Sequence, residues 1–287
     1  MILSSCRYDT LAPEAVVIEK KGILFLGHPY DTPTTVDPRI ELLDLTQYEQ
    51  IWLGGDICSE TTKALSTVQY IDTLFDVSSP NTHWAVGNHD IRNGNLEWIT
   101  DATQRKLFYS HSSNGMTILV LNSNLDRTEC EEKEAQFQFI QQLTDTISES
   151  SHLFLLMHHI VWGKVEDGMD AISTANAGSS WMQFRCNNSS KFEQIIYPLL
   201  QQVQARGVQV MVISGDGGQK KSKTYEYLTD DGIWFLISGI NNVNIEDPVE
   251  RAKLPPDRVL YLELDPESRR LRWEFPDLDL LVEESQE

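Results

Sequence analysis

"AVGNHDIRN", residues 85–93, sets an asparagine, a histidine and an aspartate side by side directly after a hydrophobic run. These three are poor strand formers, so the run reads as a strand that ends at Val86. Gly87 then permits a tight turn and close approach of the backbone to whatever lies above it. A plain turn can use Gly-Asn in the same way, so the meaning of the tetrapeptide depends on what the rest of the chain supplies.

Working outward, short apolar runs recur on both sides. "GILFLG" (22–27), "QIWLGG" (50–55), "THWAVG" (82–87), "MTILVLN" (116–122), "HLFLLMH" (152–158) and "VQVMVISG" (208–215) read as buried strands, each closed by Gly or a polar cluster. Between them, "SETTKALSTVQYIDTLF" (59–75), "EEKEAQFQFIQQLTDTI" (131–147) and "SSKFEQIIYPLLQQVQARG" (189–207) read as helices, the first capped by Ser59 and the last ending at Gly207. Asn114-Gly115 signals a hairpin. After residue 222 come "KTYEYLT", "GIWFLISG", "RVLYLEL" and "RRLRWEF", strands with turns and no helix evident between them. Mixed β/α units followed by a β-rich end predict two sheets packed face to face with helices outside. The stretch 163–188 lacks a clear period and is long for a plain connection, as functional lids are.

Composition bounds the function. At 287 residues, 40% hydrophobic and 9% aromatic, the chain suits a packed α/β core. A net charge of −20 argues against broad nucleic-acid binding, which depends on Lys and Arg neutralising phosphates. It leaves room for a small anionic substrate, because a bound metal inverts the field locally. No apolar run approaches the roughly 18 residues needed to span a bilayer. The four cysteines (Cys6, Cys58, Cys130, Cys186) are scattered without a C-x-x-C pair and are expected to be ordinary thiols, with no disulfide framework. A soluble, cytoplasmic protein is the expectation. The alternative is a bacterial envelope lipoprotein trimmed before Cys6, because "LSSC" (3–6) has the form of a lipoprotein cleavage site.

The polar residues at the strand ends give the opening stretch its meaning. Asp56 follows one apolar run; Asn88, His89 and Asp90 follow the next; His158 and His159 close another, and Asp216 a fourth. Ligand sites of α/β folds lie at the carboxyl ends of strands. Any one cluster reads as a cap or turn; four together read as a metal site. In the order GGD…GNHD…HH…SGDGG, over about residues 20–240, the sequence resembles the calcineurin-like metallophosphoesterases. The resemblance implies a single domain, 1–287, with a four-layer αββα fold: a two-sheet β-sandwich flanked by helices, with metal bound at one edge and a β-rich end at 223–275. It also implies that Asp56 bridges two metals, that Asn88 and His158 bind the second, and that His89 faces the leaving group, oriented by Asp90. His159, pointing elsewhere on its strand, is expected to pack or to make an outer hydrogen bond.

The departures bear on metal number. The family opens with Asp-x-His, whereas "FLGHPYD" puts Leu26 in the aspartate position ahead of His28. Asp31 either swings in as a replacement or serves as a turn aspartate. Near the end the family has Gly-His-x-His, and here Asp216 replaces the first histidine while Gly218 cannot replace the second. Lys220, Lys221 and Lys223 either supply a missing positive charge or form a solvated edge. One firmly held metal and a second, weakened site are therefore expected. Oxygen and imidazole donors suit Mn, Fe, Zn or Mg ions, hard oxygens favouring Mn²⁺, Fe or Mg²⁺.

The resemblance implies a hydrolase acting on a small phosphorylated substrate by attack of metal-bound hydroxide, the metal lowering the pKa of its water from about 16 to roughly 7. His89 would protonate the leaving oxygen, and Arg92 either contacts phosphate or makes a surface ion pair. The rival reading is a catalytically impaired binding or scaffold protein of the same fold. Leu26 and Gly218 favour it; Asp56, Asn88, His89, Asp90 and His158 oppose it.

Overall fold

In the computed structural model, which describes residues 21–169, 182–186, 190–217, 224–240, 245 and 247–286, buried strands carry apolar side chains on both faces. In β1 (Lys21–Leu26), Ile23 and Phe25 enter one apolar cluster while Leu24 and Leu26 enter another. Period-two alternation with both faces buried is what a sheet between two layers requires. β1 pairs in parallel with β2 (Tyr48–Leu53), and β2 with β3 (Thr82–Trp84). The second sheet holds β4 (Tyr109–Ser113), β5 (Met116–Val120), β6 (His152–Met157), β7 (Gln209–Ser214), β8 (Thr224–Leu228) and β9 (Trp234–Ser238), in the order β4-β5-β6-β7-β9-β8. β10 (Leu260–Asp265) and β11 (Arg270–Glu274) return antiparallel to complete the first sheet, β11-β10-β1-β2-β3.

Between the sheets lie Ile23, Phe25, Trp52, Phe154, Ile213 and Leu260, with the Trp52 and Phe154 rings 5.1 Å apart. Outside the first sheet, α1 (Leu65–Phe75) contributes Ile71 and Phe75 to a cluster with Leu24, Leu26 and Trp84. The single turn α2 (Asn88–Ile91) follows β3, and α3 (Glu97–Thr103) adds Ile99 to that cluster. Outside the second sheet, α4 (Cys130–Thr146) and α5 (Tyr197–Ala205) bring Ile140, Leu200 and Val203 against Leu153, Leu155 and Val212. The layers run helix, sheet, sheet, helix, as the strand pattern predicts. No described helix is long and apolar enough to cross a membrane.

Several local expectations are corrected. The first helix begins at Leu65, after a 3-10 turn at Thr61–Lys63, so Ser59 is not its cap. The third is split: a π turn, Phe192–Ile196, precedes α5, whose second residue is Pro198 and so has no N–H to give. A short helix, α6 (Pro248–Arg251), stands between β9 and β10, and α7 (Leu278–Ser285) closes the described chain. The Asn114-Gly115 hairpin forms with both residues at positive φ (48° and 76°). Of 163–188, residues 170–181 and 187–188 lie outside the described residues, and so does Cys6.

Arg39 ties the ends of this architecture together. Its guanidinium grips Asp37 through two hydrogen bonds, at 2.6 and 3.0 Å, reaches buried Asp257 at 2.5 Å and meets Asp279 of α7 at 3.0 Å. Burial opposes the charge, but the three carboxylates outweigh it and raise the guanidinium pKa further.

The cysteine reading is also corrected. Cys130, the first residue of α4, is bonded to Cys186, 56 residues away; Cys58 is the free, buried thiol among the described residues. No local spacing betrays this pair, because tertiary packing makes it. Met182 and Phe184 sink into the core outside the second sheet, and Arg185 pairs with Glu134 at 2.8 Å, which delivers Cys186 to the helix start. Closing a loop of that length should contribute roughly 2–4 kcal/mol by restricting the unfolded chain. Reduction under native conditions should lower the urea midpoint accordingly. An unchanged midpoint, or an oxidised protein with free thiol at both positions, counts against the bond.

Candidate metal centre

The sheets touch where their parallel strands end, and glycine permits it. A Cβ on Gly215, after β7, would lie 1.9 Å from the Gly54 carbonyl oxygen after β2. Only bare backbone fits there, and the close approach brings Asp56 of the first sheet against His158 and Asp216 of the second. Gly87 serves likewise: a Cβ on it would meet the Asp56 carboxylate at 2.2 Å.

Asp56 sits at the centre, 1% exposed, with a positive φ of 54°. Its Oδ1 accepts the His89 main-chain N–H at 2.8 Å, and its Oδ2 lies 3.3 Å from His158 Nε2 and 3.6 Å from His28 Nε2. His28 is also fully buried and also at φ 54°. A left-handed backbone costs a non-glycine residue about 1–2 kcal/mol, so two adjoining instances mark conformations held for a purpose. Burial opposes ionisation of Asp56, yet the His158 and His28 imidazoles more than offset it and hold the carboxyl below its usual range. Burial likewise opposes a charge on His158, and Asp56 with Asp216 reverses it, raising that imidazole. Burial lowers His28 to about 4 and raises Asp216 to about 7, in the second case against the pull of His158.

His158 has the form of a metal ligand. It is fully buried, and its Nδ1–H donates to the Gly54 carbonyl at 2.7 Å, which leaves Nε2 turned toward the carboxylates. That Nε2 is buried and makes no hydrogen bond of good geometry, standing 3.3 Å from the Asp56 carboxylate and 4.0 Å from that of Asp216. Positive charge is called for there, from a proton or a cation. Ligand atoms of His158, His159 and Asp216 lie within 4.8 Å of one another. Buried oxygen and imidazole donors gathered this closely fit a metal ion of the Mn, Fe, Zn or Mg kind.

The other expected site residues are placed as follows. Asn88 opens α2, exposed, with its Oδ1 3.0 Å from His159 Nε2. His89 is half-buried and stacks on Tyr30, ring centroids 5.0 Å apart. Its Nδ1 meets the Ser59 carbonyl at 3.1 Å, the oxygen that Arg92 also takes, so Asp90 is not what orients the ring. Asp90 is fully buried and holds the loops instead. It accepts from the backbone N–H of Asp56, Ile57 and Gly87, from the Thr61 hydroxyl at 2.7 Å and from Trp84 Nε1. Burial and the nearby Asp56 charge push its pKa up against those donors.

Leu26 lies in the apolar cluster beneath α1 and contributes nothing polar. Asp31 opens a turn closed by its N–H to the Thr35 carbonyl, and its charged neighbours are Asp37 and Arg251. Gly218, Lys220, Lys221 and Lys223 lie outside the described residues. Sequence reasoning passed over Ser123, which bonds His159, although the polar "NSN" after β5 is a signal of the same kind as the four it used.

No sequence-family model matches the chain, and no curated protein matches it by sequence. Among solved structures it is similar to a dimetal phosphatase from Danio rerio, with TM-score 0.54 and 11% identity over 89% of this chain and 96% of that one. It is also similar to a phosphopantetheinyl hydrolase from Mycobacterium tuberculosis, with TM-score 0.46 and 13% identity over 91% of this chain and 98% of that one. At such identities the likeness to the phosphatase is one of fold: the two share the α/β sandwich, two mixed sheets between layers of helices, as the motif order leads one to expect.

Proposed function

We propose that the chain is a metal-dependent phosphoesterase, a single domain that hydrolyses a small phosphorylated substrate. The observation that carries the reading is the buried cluster in which His158 Nε2 faces the carboxylates of Asp56 and Asp216, at 3.3 and 4.0 Å. The fold shared with a dimetal phosphatase supports it. Asp56, Asn88, His158 and Asp216 are the residues that would hold the firm ion, with His28 on the weaker side. When bound, such an ion polarises a phosphoryl oxygen and makes water nucleophilic at neutral pH.

His89 handles the leaving group. Its Nδ1–H donates to the Ser59 carbonyl and its ring is braced by Tyr30, so it is as the imidazolium that the ring can give a proton, from Nε2, to a departing oxygen. Acid catalysis of this kind is worth roughly 10²–10⁴-fold. His89→Asn should keep the metal content and lose turnover, most on an alkyl phosphate and least on a nitrophenyl phosphate, whose leaving group departs unaided. Equal losses on both would point to substrate positioning.

Leu26, sealed in the core where the family carries an aspartate, favours the second reading of an impaired enzyme acting as a scaffold. A wild-type protein that holds its metal yet is inert toward phosphomonoesters, diesters and pyrophosphates establishes that reading. The Cys130–Cys186 bond supports work in an oxidising compartment rather than the cytoplasm.

A further inference from the structure

His159 lies outside the ligand set that the family resemblance implies, yet it is 5% exposed and both ring nitrogens are engaged. Nδ1 is 2.9 Å from the Ser123 hydroxyl, and Nε2 is 3.0 Å from Asn88 Oδ1. Ser123, 1% exposed, also accepts the main-chain N–H of His159 at 3.1 Å. A serine hydroxyl donates and accepts, so Ser123 can hold Nδ1 in either tautomer while Nε2 stays against Asn88.

We propose that His159 is a positioning residue for the metal ligand Asn88, with Ser123 holding the ring that does the positioning. This rests on the metal reading above. An exposed asparagine can present either end of its amide. If Nε2 carries the proton, one Oδ1 lone pair takes it and the other stays available to a cation; if Nε2 accepts, the –NH₂ group gives to it and Oδ1 is turned to the cation. Ser123, His159 and Asn88 thus form one hydrogen-bonded relay, and a ring nitrogen of His159 lies within 4.8 Å of the ligand atoms of His158 and Asp216. Outer partners of this kind typically change metal affinity by about 10–100-fold.

The test is titration of the purified chain with Mn²⁺ alone, followed by calorimetry. His159→Phe should bind the same number of ions with the dissociation constant raised by about 10–100-fold. His159→Gln, whose amide can donate to Asn88, should recover part of the loss. Ser123→Ala should show an intermediate loss, and adding it to His159→Phe should cost nothing more. In an Asn88→Ala background, His159→Phe should change the affinity no further. A folded His159→Phe variant with wild-type affinity overturns the proposal. So does loss of a whole Mn²⁺ equivalent that Asn88→Ala retains, which makes His159 a ligand itself. If His159→Phe fails to fold, Ser123→Ala decides: wild-type affinity there overturns the relay. A wild-type chain that binds no Mn²⁺ overturns the metal reading and this proposal with it, whereas normal binding in wild type and variants alike overturns the positioning role alone.

Discussion

Asp56→Asn should reduce bound metal from about one ion per chain to background and abolish turnover, while the chain stays folded. The substitution isolates charge from shape. Asparagine tolerates the left-handed backbone at φ 54° as readily as any non-glycine residue, so the local fold is kept. What is lost is the carboxylate that faces His28 and His158 and reverses the effect of burial on His158. The amide also turns a hydrogen-bond donor toward whatever ion those groups share. Loss of a direct ligand should exceed the about 10–100-fold effect typical of an outer partner. Elemental analysis after dialysis against Mn²⁺, with thermal unfolding in chelator as the control for folding, reads both halves. Stoichiometric metal in the variant would place the ion elsewhere.

Arg39→Met should cost about 3–5 kcal/mol, because it removes the cation shared by two buried carboxylates. Asp37 and Asp257 are 1% and 0% exposed, and each has its carboxylate on that guanidinium. Methionine fills much of the space of the side-chain stem, so the loss is chiefly of charge and hydrogen bonds. For a domain of this size each kcal/mol moves the melting temperature by roughly 2–4 °C, which predicts a fall on the order of 10 °C. Asp279→Asn, at the exposed end of the same cluster, should cost no more than about 1 kcal/mol. If the two variants lose the same small amount, the buried cluster is not what joins the turn at residue 39 to the chain's end.

What could be read from the chain follows from how far each signal reaches. Asp56, Asn88, His158 and Asp216 each stand directly after an apolar run, so the alternation that sets the strand also sets the strand's end. The four-layer order was legible for the same reason, since Leu24 and Leu26 face one core and Ile23 and Phe25 the other. Asp90 misled because its neighbour in sequence is His89, whereas its carboxylate binds Asp56, Ile57 and Thr61, 34, 33 and 29 residues away. His159 needed Ser123, 36 residues off, and Cys130 needed a partner 56 residues off. Such contacts depend on which loops the two sheets bring together, and no local pattern encodes that.

The bare contact between Gly54 and Gly215 makes occupancy and cohesion one quantity. Asp56 arrives on the first sheet, His158 and Asp216 on the second, so an ion held by all three is also a cross-link between the halves of the sandwich. An ion that binds only the joined sheets stabilises them by RT ln(1 + [L]/Kd), about 2.7 kcal/mol at a hundredfold excess over Kd. If the chain binds such an ion, its resistance to unfolding should rise and fall with the free metal around it. Withdrawal of that ion should then loosen the seam between the sheets before it disturbs the apolar layers on either side.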